Sequence, residues 1–198
     1  MLIEEKLLMS YGAEVEDLDP SYVIFDEGST PKYYYQIIKG RIKLNHYNDE
    51  GKELILAILS KGLSVCELLL FIDEKYPVNA IAFEETTVIK LPKTDFVRLL
   101  DDNPQISRDI NKFLSERLYQ KYIMLENNAS LRPDVRIKGA LNYQKSFSDD
   151  QSQFSFEVPL TRQQIASITA LRVETVIRSI KKLEKEGFLK IINRKIFI

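Results

Sequence analysis

The stretch that most constrains this chain is residues 160–187, LTRQQIASITALRVETVIRSIKKLEKEG, which reads as two helices joined by a tight corner. In the first, Ile165, Ala166 and Ile168 are apolar within a polar frame. In the second, Val173, Val176, Ile177, Ile180 and Leu183 recur at the three- and four-residue steps of one helix face. The other face carries Arg172, Glu174, Thr175, Arg178, Lys181, Lys182 and Lys185. Thr161 stands where an N-cap belongs, with Gln164 three residues on to complete a capping box. Gly187 follows the last periodic residue, as a helix stop does. A small first helix lets the second protrude, and a protruding basic helix fits the major groove of DNA. An ordinary amphipathic hairpin with a solvated charged face shows the same pattern.

Charge distribution bears on that choice. Residues 129–198 hold 13 Lys+Arg and 7 Asp+Glu, a net of +6, and residues 1–128 hold the remaining 15 and 22, a net of −7. A basic C-terminal part under a total of −1 is the electrostatic footprint of a nucleic-acid-binding domain. A single cysteine, Cys66, permits no internal disulfide and suits a reducing cytoplasm. Residues 1–9 carry Glu4 and Glu5 without a long apolar run, so no leader peptide is expected, and no stretch approaches the ~20 apolar residues of a membrane span.

Residues 13–92 read as β. Runs at 22–25, 33–38, 41–47, 54–59 and 87–91 are rich in β-branched and aromatic residues, and Gly28, Gly40, Gly51 and Gly62 punctuate them at intervals of 12, 11 and 11. Regular strand spacing with turn signals predicts a barrel, roll or sandwich. Residues 62–77 interrupt it with a short helix at 67–71 and a polar loop at 72–76, a place for a ligand pocket. From Lys93 the period turns helical. Thr94 or Asp95 caps a short helix that ends near Asn103-Pro104, and a long helix follows over 105–128. The long helix carries a stripe that includes Ile110, Phe113, Leu114, Leu118, Tyr122 and Leu125. About six turns exceed what a small roll covers, so pairing with a second copy is expected; lying on its own roll is the alternative. A hinge is expected at 127–132, a helix at 133–145 with Pro133 in its first turn, a polar loop at 146–153 and a strand at 154–158. A terminal hairpin of 188–192 and 195–198 makes a wing, with Arg194 and Lys195 near its tip.

The expected architecture is therefore α+β: an N-terminal antiparallel β-roll of the double-stranded, jelly-roll-like kind over residues 1–103, a long dimerisation helix over 104–128, and a winged helix-turn-helix over 129–198. This arrangement resembles the CRP/FNR family of bacterial transcription regulators from about residue 10 to 198. The resemblance is carried by LTRQQIA and ETVIRSIKKLEKEGFL within 160–189, VIFDEG at 23–28, YQIIKGRIKL at 35–44, Glu67-Leu68 and Arg136.

The resemblance implies a homodimer whose recognition helices read half-sites of a palindrome one DNA turn apart, with RNA polymerase as a further partner. It implies that Glu174 and Arg178 meet base edges, and that Thr161, Arg162, Thr175 and Lys181 hold phosphates. Gln163, Arg172, Val173, Lys182 and Arg194 complete the candidate DNA-binding set. Val173 stands where relatives often have a base-reading Arg, and Ala170 where the corner usually has Gly.

The implied effector pocket departs further. Family members that bind cyclic AMP hold its phosphate with a Gly-Glu-Leu turn and an Arg-Ser pair before an Ala. This sequence has Cys66-Glu67-Leu68 and Val78-Asn79 before Ala80, and Lys121-Tyr122 in place of the hydroxyl pair that meets the adenine. Without the Arg a buried phosphate stays unpaired, and Glu67 repels it, so no tight cyclic-AMP binding is expected. A regulator switched by another small effector in the roll is the alternative. One cysteine excludes a four-thiolate iron–sulfur cluster, and His46 and Cys66 are the obvious candidates for a haem ligand. One His supplies no metal site of several His and carboxylates, and there is no nucleophile–base pair or phosphate-cradling Gly loop. Neither an enzyme, nor a cofactor, nor a metal is expected.

Overall fold

The computed structural model describes every residue except Met1, Leu2, Lys52, Phe147 and Asp149. Parts of the leader reading and of the expected 146–153 loop thus lie outside the described residues. The chain divides into two compact units, Met1–Ser115 and Glu116–Ile198.

The first unit opens with α1 (Glu5–Ser10) and continues through β1 (Glu14–Leu18), β2 (Val23–Phe25), β3 (Tyr33–Lys39), β4 (Arg41–Tyr47), β5 (Glu53–Ser60), β6 (Asn79–Ala82) and β7 (Thr86–Pro92). Two antiparallel sheets result, ordered β1-β7-β3 and β2-β6-β4-β5. Five of these strands fall where runs rich in β-branched and aromatic residues and the turn glycines predict them. β1 was hidden because three of its five residues are acidic; it pairs with β7 over all five, and the Lys90 ammonium of β7 lies 3.6 Å from Glu14 and 3.3 Å from Glu16. β6 was hidden by its four-residue length. Gly40, at φ +81°, turns β3 into β4, and a Cβ there would collide with the carbonyl oxygen of Glu85.

Helix α2 (Lys93–Asp102) starts earlier than expected. Pro92 is its N-cap with no side-chain acceptor, so neither Thr94 nor Asp95 caps it. Asp95 instead sits in the first turn, where its charge suits the helix dipole, and pairs with Arg98 at 2.9 Å. Helix α3 (Pro104–Asn128) begins in this unit. The core gathers Ile3, Leu8, Tyr34, Leu91, Phe96, Leu99 and Ile110, with Tyr34 and Phe96 stacked at 4.5 Å. The Gln36 side-chain amide clasps Ile3 through both backbone groups, at 3.0 and 2.9 Å, which ties the N-terminal segment to β3.

The second unit holds the end of α3, then α4 (Pro133–Lys145), α5 (Arg162–Thr169), α6 (Val173–Lys185) and a hairpin of β8 (Lys190–Ile192) and β9 (Lys195–Phe197). The end of α3 meets α4 at Gly139, where a Cβ would come within 2.5 Å of Asn127 Cβ. The expected strand at 154–158 is corrected. Phe154 has φ +63°, which breaks an extended run, and only an isolated bridge joins Glu157 to Phe197. The hairpin strands lose residues at their outer ends, 188–189 and 198, while Asn193 and Arg194 both take φ > 0 in the expected two-residue turn.

Candidate nucleic-acid interface

The corner between α5 and α6 is built by local chemistry. The Thr161 hydroxyl accepts from the Gln164 amide at 3.2 Å, and Gln164 Oε1 accepts from the Thr161 amide at 2.8 Å. Ile165, Ala166, Ile168 and Thr169 are buried. Ala170 closes α5 in the left-handed region at φ 50°, with the Leu171 amide donating to the Ala166 carbonyl at 3.0 Å. At the end of α6 Gly187 takes the same role at φ +74°, and the Phe188 amide reaches the Leu183 carbonyl at 3.0 Å.

Helix α6 buries Val176, Ile180 and Leu183. Arg172, Glu174, Arg178, Lys181 and Lys185 are exposed, and Val173 and Thr175 are half-buried beside them. Ile177 departs from the expected apolar face: it is 42% exposed and lies with the charged residues. Lys182 points to α4, where its ammonium lies 3.0 Å from Asp134 Oδ2, an oxygen that also accepts from Arg132 Nη2 at 2.8 Å. Hydrogen bonds from Arg132 and Lys182 hold the Asp134 carboxyl well below the usual carboxylate range. Charge counting along the sequence could not assign Lys182 a partner 48 residues away.

Of the remaining candidates, Gln163 and Arg194 are exposed. Arg162 donates from Nη1 to the Arg194 carbonyl at 2.6 Å, which fixes the wing tip to the start of α5. Lys195 pairs with Glu157 at 2.7 Å.

In the first unit, Cys66 takes φ 53° and opens a 3-10 turn, Glu67–Leu70. Glu67 is fully buried beside Tyr34; burial, then this carboxylate, push the Tyr34 phenol well above its ordinary value. Leu68 is 45% exposed. Val78 and Ala80 are buried, and Asn79 is engaged inside the fold: its Oδ1 accepts from the Glu27 amide at 2.9 Å and its Nδ2 donates to the Asn45 carbonyl at 3.3 Å. Neither residues 64–70 nor 76–82 include a Lys or Arg. Tyr76, at the start of the second segment, belongs to a buried aromatic group. Phe25 and Tyr76 stack at 3.6 Å, and Tyr35 lies 6.2 Å from Phe25. All three are at most 8% exposed. Burial pushes the Tyr35 phenol up to about 12, and it raises Tyr76 further, with Tyr35 and Cys66 adding to the effect. Lacking Lys and Arg, neither segment supplies a cation to a phosphate. A separate cavity of about 280 Å³ is lined by Asp17, Asp19, Glu85 and Lys39 among others, a set that repels phosphate.

His46 Nδ1 lies 2.7 Å from Glu27 Oε2, and Cys66 is buried. Among the described residues no group of three or more His, Cys, Asp or Glu could hold a metal ion, and no helix is long and apolar enough to cross a membrane.

On α3 the apolar stripe divides. Ile110 is buried in the first unit's core, and Phe113 and Leu114 are half-buried. Leu118, Tyr122 and Leu125 are 53%, 61% and 66% exposed, and Lys121 is also exposed.

An antiparallel sheet unit, a long helix and a helix pair with a hairpin wing define a DNA-binding transcription regulator. Comparison with known proteins agrees. Residues 15–103 match the cyclic nucleotide-binding domain model and residues 136–198 the Crp-like helix-turn-helix domain model. The chain is 31% identical over 166 residues to the cAMP-activated global transcriptional regulator CRP of Haemophilus influenzae, covering 82% of this chain and 73% of that protein. In fold it is similar to the c-di-GMP responsive global regulator CLP of Xanthomonas campestris (TM-score 0.74, 20% identity, 98% and 96% of the two chains). It is likewise similar to a CooA variant of Carboxydothermus hydrogenoformans (TM-score 0.77, 18% identity, 99% and 87%). The chain belongs to the CRP/FNR family of transcription regulators.

Proposed function

We propose that this chain is a homodimeric regulator that binds a palindromic DNA site in the cytoplasm without needing cyclic AMP. The observation that carries this reading is the contrast between its two units. In one, α6 presents Glu174, Arg178 and Lys181 to solvent over a buried apolar side. In the other, Phe25, Tyr35 and Tyr76 form a buried aromatic group, and neither 64–70 nor 76–82 carries a Lys or Arg to face a phosphate.

Glu174 and Arg178 read base edges, Glu through a cytosine amino group and Arg through a guanine. Thr161, Arg162, Thr175 and Lys181 hold phosphates and set the register, and Arg194 and Lys195 at the wing tip can touch phosphate. Residues 129–198 form the DNA-binding part, 104–128 the dimer helix and 1–103 a sensor-like scaffold. The exposed Leu118, Tyr122 and Leu125 meet their copies across the dimer, since such a stripe left in water favours association. A dimer of this type works beside RNA polymerase.

The test is selection of binding sites from a random DNA pool with purified protein, with and without cyclic AMP, at fixed salt. The expected result is one palindrome recovered equally in both. Recovery only with the nucleotide overturns the effector-independent reading, and recovery of no site overturns the DNA-binding one. Sedimentation of the wild type and of Leu118→Glu reports the dimer, with a monomer expected for the variant.

A further inference from the structure

Exposed positions of helix α6 are polar or charged, with one large exception. Ile177 is 42% exposed, although Val176, Ile180 and Leu183 on the same helix are fully covered. Folding does not account for it. A β-branched residue is a mediocre helix former, and one left in water contributes little to the core. Val173 precedes Ile177 by four residues and is half-buried, so the two adjoin on neighbouring turns. Glu174 and Arg178 form the parallel row beside them, and Lys181 follows one turn beyond Ile177. A small aliphatic strip therefore borders the polar row assigned to base edges. Its charged frame of Arg172, Arg178 and Lys181 disfavours an apolar protein partner and favours a polyanion. The apolar group that a duplex offers in its major groove is the 5-methyl of thymine.

Resting on the proposed DNA reading, we infer that Ile177, flanked by Val173, is a specificity-determining residue that reads a thymine methyl next to the base taken by Arg178. The side chain desolvates that methyl and cannot do the same for cytosine, so the half-site contains an obligatory thymine beside the guanine.

The experiment uses full-length protein and the site recovered from the random pool. Each thymine is replaced in turn by uracil, which removes the methyl and leaves the hydrogen-bonding groups unchanged. Binding is followed by fluorescence anisotropy at fixed salt. One uracil position per half-site is expected to weaken binding roughly three- to fivefold, the effect of one buried methyl-sized group. In Ile177→Ala that discrimination is expected to vanish, while Arg178→Ala on the same DNA keeps it. Circular dichroism and thermal melting of Ile177→Ala control for folding; the exposure of the residue predicts an unchanged melt. A selected site in which no uracil matters, or in which Ile177→Ala discriminates as the wild type does, overturns this inference and leaves the proposed function standing. Failure to select any site overturns both.

Discussion

The Lys182 ammonium and the Arg132 guanidinium converge on one oxygen of Asp134, at 3.0 and 2.8 Å. This pair of contacts ties the segment before α4 to the helix offered to DNA. Asp134 is 94% covered, whereas the Lys182 and Arg132 side chains are 57% and 70% exposed. The carboxylate therefore needs its partners more than they need it.

Asp134→Asn keeps the volume and removes the charge. The second unit is expected to lose on the order of 1–2 kcal/mol, a value moderated by the exposure of both cations. Because the folded carboxyl titrates below its ordinary value, the wild type's advantage is complete above the usual carboxylate range and shrinks as pH falls through it. Urea unfolding should show equal wild-type-minus-variant differences at pH 7 and 5 and a smaller one at pH 3. A difference that does not change with pH would refute the ion-pair account.

Ala170 is held in the left-handed region at φ 50° and is exposed. Ala170→Gly removes that conformational cost and gains back less than all of it, since glycine also loosens the unfolded chain. Stabilisation of about 0.5–1 kcal/mol is expected in denaturant titrations. A destabilised variant would mean that the corner depends on the Ala methyl.

Arg178 and Lys181 lie three residues apart on α6 and should behave differently. Arg178→Ala is expected to lose about 1–3 kcal/mol on the selected site and to relax preference at one base pair. Lys181→Ala should weaken selected and random DNA alike and flatten the salt slope by about one. Equal losses on both DNAs for Arg178→Ala would remove it from the base-reading set.

Tyr76 stacks on Phe25 at 3.6 Å inside the first unit. Tyr76→Ala should lower that unit's stability by roughly 3–5 kcal/mol, the range for an aromatic ring removed from a core. Calorimetric titration of wild type with cyclic AMP should give no heat of binding. A micromolar dissociation constant, worth about 8 kcal/mol, would show that the aromatic group yields to the nucleotide.

Much of the fold was legible because its signals are local. The Thr161–Gln164 capping box, the Gly187 stop and the β run at 41–47 are written in adjacent residues, and each stands where it was expected. What could not be read depends on distant partners. β1 is a strand because its backbone pairs with β7 over all five residues, and Lys182 turns to α4 because Asp134 waits there. Ile177 was grouped with the core because helical period alone cannot separate the rim of a buried face from its centre. The aromatic filling was likewise invisible, since Phe25, Tyr35 and Tyr76 come from three separate segments.

The bond from Arg162 to the Arg194 carbonyl, at 2.6 Å, has a kinetic consequence. On the proposed DNA reading, a hairpin tip fastened to the helix pair before any encounter surrenders little freedom when it reaches a phosphate. Association then proceeds as the docking of a preorganised surface, with its speed set by diffusion and electrostatic steering rather than by the ordering of a loop.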